Sequence, residues 1–213
     1  MMKDIYIVGA GTYGEAMYEL AEDCGYNVVG YYDESDEKIG TDVMDVPVIG
    51  KLSECKDIQG KKFIVAIGNN KIRHDIMTDI ISKGGDVPTL IHPTAKISKT
   101  AVIGKGVYIQ MGAVIWTKVE IGDFSIISPN TVIAHHTKIG HSCLISTLCC
   151  VGASIEVGAY TMFGIGCIAI TGIERVGHNV MLGAGTTVID NVEDNVLMVG
   201  SPARKIRDRQ PVE

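Results

Sequence analysis

From Ile91 onward an apolar residue returns at every sixth position. The lead residues read Ile91, Ile97, Ile103, Ile109, Ile115, Ile121, Ile127, Ile133, Ile139, Ile145, Val151, Val157, Phe163 and Ala169 without a break. One extra residue then shifts the register, which resumes at Val176, Leu182 and Val188, giving seventeen hexads. Four residues after each lead stands a small or β-branched residue, among them Ala113, Ser125, Thr137, Cys143, Cys149 and Cys167. An amphipathic helix needs apolar spacings of three and four, and an ordinary strand an alternation broken by turns. A constant period of six satisfies neither and predicts short strands joined by tight corners, with two inward positions per hexad. Glycine follows the lead at Gly104, Gly122, Gly140, Gly152 and Gly158, where it is expected to supply backbone angles that other residues resist. The product is a parallel β-solenoid, with three hexads per coil, eighteen residues as the vertical repeat and nearly six coils.

The first ninety residues follow another rule. An apolar run, Ile5 to Val8, enters Gly9-x-Gly11-x-x-Gly14, and a helix is expected from there to about Cys24. A second strand, Val28 to Tyr32, ends at Asp33, and a third, Lys62 to Ile67, ends at Gly68-Asn69-Asn70 before a helix through Arg73. This is the strand, glycine-rich turn and helix of a Rossmann-like α/β half-fold, in which phosphate sits at a helix N-terminus and an acid about twenty residues on meets a ribose. The glycines are equally what a tight strand-to-helix turn requires. A dinucleotide-dependent reductase is disfavoured, because the segment is too short for two mononucleotide halves and a solenoid supplies no nicotinamide site. The expected domains are therefore residues 1–90, α/β and nucleotide-binding, and residues 91–213, the β-helix with a C-terminal cap.

Composition narrows the partners. Of 213 residues, 46% are hydrophobic and 21% charged, as in a soluble globular chain, and no apolar run approaches the roughly 18 residues of a membrane helix. The start runs straight into a strand pattern without the layout of a signal peptide, so cytoplasmic residence is expected. The cysteines Cys24, Cys55, Cys143, Cys149, Cys150 and Cys167 form no C-x-x-C pair and are read as reduced thiols. A net charge of −6 leaves no basic stripe for nucleic acid beyond the short tail Arg204, Lys205 and Arg207. Small molecules are the expected partners.

Candidate chemistry centres on Ile133-Ala-His-His-Thr-Lys-Ile-Gly-His141. Imidazole titrates near neutrality and suits general-base work. A metal site is not expected, because His135, His136 and His141 fall on different positions of the coil and a structural zinc needs four convergent ligands.

Five stretches, Gly9-Ala-Gly-Thr-Tyr-Gly14, Tyr31-Tyr-Asp33, Ala66-Ile-Gly-Asn-Asn70, Ala134-His-His-Thr-Lys-Ile-Gly140 and Val199-Gly-Ser-Pro-Ala203, stand with a joining Ile91-His92-Pro93. Together they resemble the nucleotide-sugar and sialic-acid acetyltransferase family of hexapeptide-repeat acyltransferases. The resemblance spans the chain and implies a left-handed β-helix, acetyl-CoA as co-substrate, and a homotrimer with active sites between subunits. It implies acetylation of the amino group of a nucleotide-linked amino-deoxy sugar, of the UDP-4-amino-sugar type, in surface glycan synthesis. The alternatives are O-acetylation of a sialic-acid-type sugar, or a non-catalytic nucleotide-sugar binder. The base falls on His135, with His136 as the second catalytic candidate. Eighteen residues on, the backbone N–H of Ala153, beside Gly152, is the expected oxyanion donor. Arg204 and Lys205 would face CoA phosphates or form a solvated cap. Gly9, Gly11, Thr12, Tyr13, Gly14, Asp33, Gly68, Asn69 and Arg73 would line the nucleotide site. Two departures stand out: His136 replaces the family's acidic residue, and Leu144 replaces a histidine found in many members.

Overall fold

The computed structural model describes residues 3–212. The chain divides into two compact units, Met1–Leu90 and Ile91–Glu213.

In the first unit, β1 (Lys3–Val8), α1 (Thr12–Asp23), β2 (Tyr26–Tyr32), β3 (Asp42–Val43), β4 (Val46–Gly50), β5 (Phe63–Val65) and α2 (Asn70–Ser82) follow in chain order. The sheet order is β3-β4-β2-β1-β5, parallel throughout except for the β3–β4 hairpin. Both faces of the central strands are covered, so β1 and β5 read as unbroken apolar runs: Ile5, Ile7, Phe63, Ile64 and Val65 are all fully buried. Helix α1 turns Met17, Leu20 and Ala21 inward, and α2 turns Met77 and Ile80 inward, at helical spacing. Strand order reverses around β1, which places the ends of β1 and β5 at the crevice where open parallel sheets bind ligands.

The second unit is a parallel β-solenoid built from seventeen two-residue strands, each ending on a predicted lead residue. They stack into three walls. The first holds Leu90–Ile91, Tyr108–Ile109, Ile126–Ile127, Leu144–Ile145, Met162–Phe163 and Met181–Leu182. The second holds Lys96–Ile97, Val114–Ile115, Val132–Ile133, Cys150–Val151, Ile168–Ala169 and Thr187–Val188. The third holds Val102–Ile103, Glu120–Ile121, Lys138–Ile139, Glu156–Val157 and Arg175–Val176. Residues pair eighteen apart, for example Val114 with Val132 and Ile115 with Ile133. The extra residue is absorbed at one corner, where Thr171 bridges Ile173 around Gly172 at φ +110°, and pairing resumes with Ile168 opposite Thr187.

The small inward positions are more than filler. Buried hydroxyls and thiols there donate to carbonyls of the following coil: Ser125 Oγ to Gly140 at 2.9 Å, Thr131 Oγ1 to Ser146 at 2.8 Å, Thr137 Oγ1 to Gly152 at 2.6 Å, Cys149 Sγ to Gly164 at 3.1 Å. Each corner bends the ladder and would strand a buried carbonyl, and these side chains satisfy it.

The expectation for glycine needs correction. Positive φ falls two residues later than the glycines that follow the lead, at Lys118, Phe124, Asn130, His136, Ser142, Leu148, Ser154, Tyr160 and Asn179, all between +52° and +61°. In this conformation each N–H turns along the solenoid axis to the coil before, as from His136 to Thr117 O at 3.0 Å and from Ser154 to His135 O at 3.0 Å. That bond offsets a left-handed strain of about 1 kcal/mol per non-glycine residue. The glycines after the lead serve close stacking instead: a Cβ on Gly140 would lie 2.6 Å from Ala159 N, and one on Gly152 would lie 2.5 Å from Thr171 N.

The chain leaves the solenoid through Val196–Val199, turns at the cis Ser201–Pro202 bond, and doubles back as Arg204–Asp208, antiparallel to the strand before it. This hairpin covers the last edge of the first wall, where an open edge would invite pairing with another chain.

Candidate active site

In the first unit the loops after β1, β2 and β5 converge at the carboxyl ends of the strands. Gly9 and Gly14 are required by the chain itself. Gly9 has φ +104° and its missing Cβ would lie 2.9 Å from Ala66 O, and a Cβ on Gly14 would strike Gly9 O. Gly11 is different: its φ is −93°, and a Cβ there would meet nothing but Lys38 Nζ, at 3.9 Å. Neither backbone angle nor internal packing demands a glycine at Gly11, and Gly68, with open space around it, is alike. Thr12 and Tyr13 begin α1, whose N-terminus has no side-chain cap. The open end of a helix carries partial positive charge and attracts anions.

Asp33 closes this corner. Its Oδ2 accepts from Ala10 N at 2.8 Å and from Lys38 Nζ at 3.1 Å, and its Oδ1 accepts from Ser35 N at 3.0 Å. Burial alone would raise its pKa, but the N–H groups of Ser35 and Ala10 and the Lys38 ammonium outweigh it, holding the carboxyl below its ordinary range. The contribution of this ionised state to the turn is therefore complete above the ordinary carboxylate range and is lost as pH falls through the depressed value. Lys38 is a site residue that sequence reading missed. Its signal was the cation five residues after the acid, which a loop could fold back over the glycine turn.

Two expected nucleotide contacts take other duties. Asn69 caps α2, its Oδ1 accepting from Lys71 N at 3.1 Å and Ile72 N at 3.0 Å, so its carbonyl oxygen is already engaged. Arg73, expected to touch the nucleotide, is fully buried and is corrected to a latch: it donates to Ile67 O at 3.0 Å and to Asn70 Oδ1 at 2.8 Å. A buried guanidinium is stable only with such partners, and here they set the shape of the Ile67–Asn70 turn.

In the solenoid, His135 and His136 occupy the corner between the second and third walls. A wall position was expected for His135; the strand Val132–Ile133 ends two residues earlier, so the imidazole stands at the corner and is exposed. Thr137 fixes the corner from inside, donating to Gly152 O and accepting from Ile155 N at 3.2 Å. Outside, the rings of His135 and His136 meet edge to face with centroids 5.2 Å apart, and their Nδ1 atoms lie 3.1 Å apart. Trp116, the sole tryptophan, is 48% exposed and stacks on His135, centroids 6.2 Å apart at 30°. His141 lies at the next corner, against the Tyr160 ring at 4.8 Å. Among the described residues no group of three metal-ligating side chains converges.

The structure brings Ala153 beside His135, since Ser154 N reaches His135 O, but it assigns both expected oxyanion donors a partner. Gly152 N donates to Ala169 O at 2.8 Å as part of the wall ladder, and Ala153 N donates to Thr171 Oγ1 at 3.1 Å. Gly152 is thus a stacking residue, corrected from donor. Ala153 keeps an N–H held only by a hydroxyl that can rotate away. In the tail, Arg204 donates to Ala203 O at 3.0 Å and Lys205 pairs with Asp208 at 2.7 Å and Glu193 at 3.7 Å. The Arg204, Lys205, Asp208 and Glu193 side chains are exposed, where water and salt screen such pairs.

Comparison with known proteins places this geometry. Residues 4–80 match the PglD N-terminal domain, and residues 100–135 match the bacterial transferase hexapeptide (six repeats). GDP-perosamine N-acetyltransferase of Escherichia coli O157:H7 is 27% identical over 92% of this chain and 82% of its own. UDP-N-acetylbacillosamine N-acetyltransferase of Bacillus subtilis (strain 168) is 30% identical over 51% of this chain. The chain spans only 24% and 52% of the length of two of the curated relatives it matches. A crystal structure of perosamine N-acetyltransferase from Caulobacter crescentus, a histidine-to-asparagine variant in complex with CoA and GDP-perosamine, superposes with a TM-score of 0.88 at 27% identity, covering 98% of this chain and 99% of that one. A match to the PglD N-terminal domain thus precedes a match to the bacterial transferase hexapeptide, and over nearly its whole length the chain is similar to perosamine N-acetyltransferases.

Proposed function

We propose that this protein transfers acetyl from acetyl-CoA to the amino group of a nucleotide-linked amino-deoxy sugar, with His135 as general base, in the synthesis of a surface glycan. The observation that carries the reading is an exposed imidazole held rigid at a solenoid corner, on a chain whose other unit presents a glycine turn shaped for an anion. Residues 1–90 hold the nucleotide, with diphosphate against Gly11, Thr12 and Lys38 and ribose near Asp33. Residues 91–213 carry out the transfer. The amine attacks the thioester carbon, its proton passes to His135, and the tetrahedral oxyanion displaces Thr171 from Ala153 N–H. The CoA thiolate leaves and takes the proton back. The relatives and the matched structure act on or hold amino-sugar nucleotides, which supports the acceptor class. The compartment is the cytoplasm, where acetyl-CoA is free.

The test is thiol release from acetyl-CoA with UDP-, dTDP- and GDP-linked 4-amino-4,6-dideoxy sugars and free sialic acid. One amino-sugar nucleotide should turn over, and Gly11→Val should raise its KM about tenfold or more while the KM for acetyl-CoA stays within about twofold. Turnover of sialic acid alone would move the acceptor atom to a hydroxyl. Binding of a sugar nucleotide with no thiol release would leave a non-catalytic binder.

The active assembly is a homotrimer in this reading. Outward residues of the second wall are apolar at Val114, Val132, Cys150 and Ile168, between Lys96 and Thr187 at its ends, whereas the third presents Val102 and then Glu120, Lys138, Glu156 and Arg175. Leu148 and Ile165, each 60% exposed, extend the apolar side. A surface this apolar is what a subunit interface covers. Light scattering should return three times the chain mass, and Val132→Lys with Ile168→Lys should lower it. A monomer that still turns over substrate would overturn the assembly.

A further inference from the structure

We propose that His136 is the positioning residue that stands in for a carboxylate behind the base: its Nδ1 accepts the Nδ1–H of His135 and leaves Nε2 of His135 free to take the proton. The inference rests on His135 being the base and adds what holds that base in its working form.

Two imidazole nitrogens 3.1 Å apart share a hydrogen bond only if one carries hydrogen and the other a lone pair. If His136 were the donor, His135 Nδ1 would be the acceptor and its Nε2 would carry the hydrogen, leaving no lone pair facing outward. If His135 donates, Nε2 is the lone-pair nitrogen and the only one available to an incoming amine. A histidine base works in that tautomer, and the group bonded to its other nitrogen selects it.

The backbone makes the pair a fixed one. His136 has φ +61° and its N–H is bound to Thr117 O, so its Cα–Cβ direction is set by the corner itself. The carbonyl of His135 is held by Ser154 N, and one face of its ring is covered by Trp116. Main chain, ring face and Nδ1 are thereby all constrained, with Nε2 left over.

A neutral imidazole acceptor orients the base as a carboxylate would but adds no opposite charge when the imidazolium forms. When the amine attacks, its proton passes to Nε2 while the Nδ1–H bond stays in place. That same proton returns to the departing thiolate, so the pair ends in the tautomer in which it began.

Other corners supply the variants. Asn130, one strand before His136, and Leu148, two strands after it, occupy the equivalent left-handed position at φ +56° and +61°, so the solenoid accepts both residues there. His136→Asn keeps an acceptor oxygen, His136→Leu has none, and His136→Asp restores an anion. In protein with ring-15N histidine, the wild-type His135 should show protonated Nδ1 and bare Nε2 without any substrate. His136→Asn should retain that signature and His136→Leu should lose it. With the amino-sugar nucleotide turned over in the panel, His136→Leu should lower kcat about tenfold or more at unchanged KM, His136→Asn should stay within about threefold, and His136→Asp should match or exceed wild type. A bare Nδ1 on wild-type His135 overturns the proposal, as does equal loss of kcat in His136→Leu and His136→Asn. Activity surviving in His135→Ala would instead fault the base itself, and the 15N signature would still decide the tautomer.

Discussion

Replacing His135 by alanine is expected to lower kcat by about 10²–10⁴-fold, the usual contribution of a positioned general base. The KM for acetyl-CoA should change little, because the imidazole lies at a corner and shapes no wall. The fold should be untouched, since His135 is exposed and its structural bond, from Ser154 N to its carbonyl oxygen, is made by backbone. Thiol release under saturating acetyl-CoA measures the loss, and light scattering and circular dichroism check the fold. A fall of less than about tenfold would remove His135 as base and direct attention to His136, or to His141 one corner on.

The second large effect is on stability. Gly140→Ala should destabilise the solenoid by about 3 kcal/mol or more, the upper range of overpacking, because the new methyl would meet Ala159 N at 2.6 Å and Ala159 Cα at 2.8 Å. Both are backbone atoms of the next coil, so relief means prising coils apart along a ladder of hydrogen bonds. Gly166→Ala is the comparator. Its φ is +69° with nothing within 4 Å, so only left-handed strain is added, about 1 kcal/mol. Denaturant midpoints at one fixed chain concentration would rank the two. Equal losses would mean that glycine serves backbone conformation at both sites.

That contrast also shows what the chain's pattern could reveal. The period of six carried the solenoid, its eighteen-residue coil and the site of the register shift, because each lead side chain points into a core only three walls wide. The same period did not reveal which corner residue is left-handed. Phe124, Leu148 and Tyr160 are unexpected in that conformation, and only the N–H bonds to the preceding coil make it favourable. In the first unit the apolar runs and glycine turn announced β1, α1, β2 and β5. The hairpin strands β3 and β4, and the full length of α2, were not anticipated. Asp42–Val43 and Val46–Gly50 are short, with Pro47 among them, and they draw their partners from tertiary pairing. At the candidate site His135 was legible as a candidate base. Trp116, one coil before Ala134, and Lys38, folded back on Asp33, required the coil register and the loop path. Arg73 shows the opposite error: a cation beside a glycine turn resembled a ligand contact until its burial showed it serving the turn.

The corner at Thr171–Ile173 bears on how such a chain tolerates changes of length. Each coil touches only its neighbours, so an inserted residue is felt locally: it loops out at a turn, and the walls re-register on its far side, as Ile168 does with Thr187. Insertions within a two-residue strand have no such outlet, because they would exchange inward and outward side chains for the rest of the coil. Lineages of this architecture can therefore lengthen by single residues at corners or by whole turns of eighteen. His135 and its Ala153 neighbour remain in step only while the eighteen-residue spacing between them is kept, whatever happens beyond.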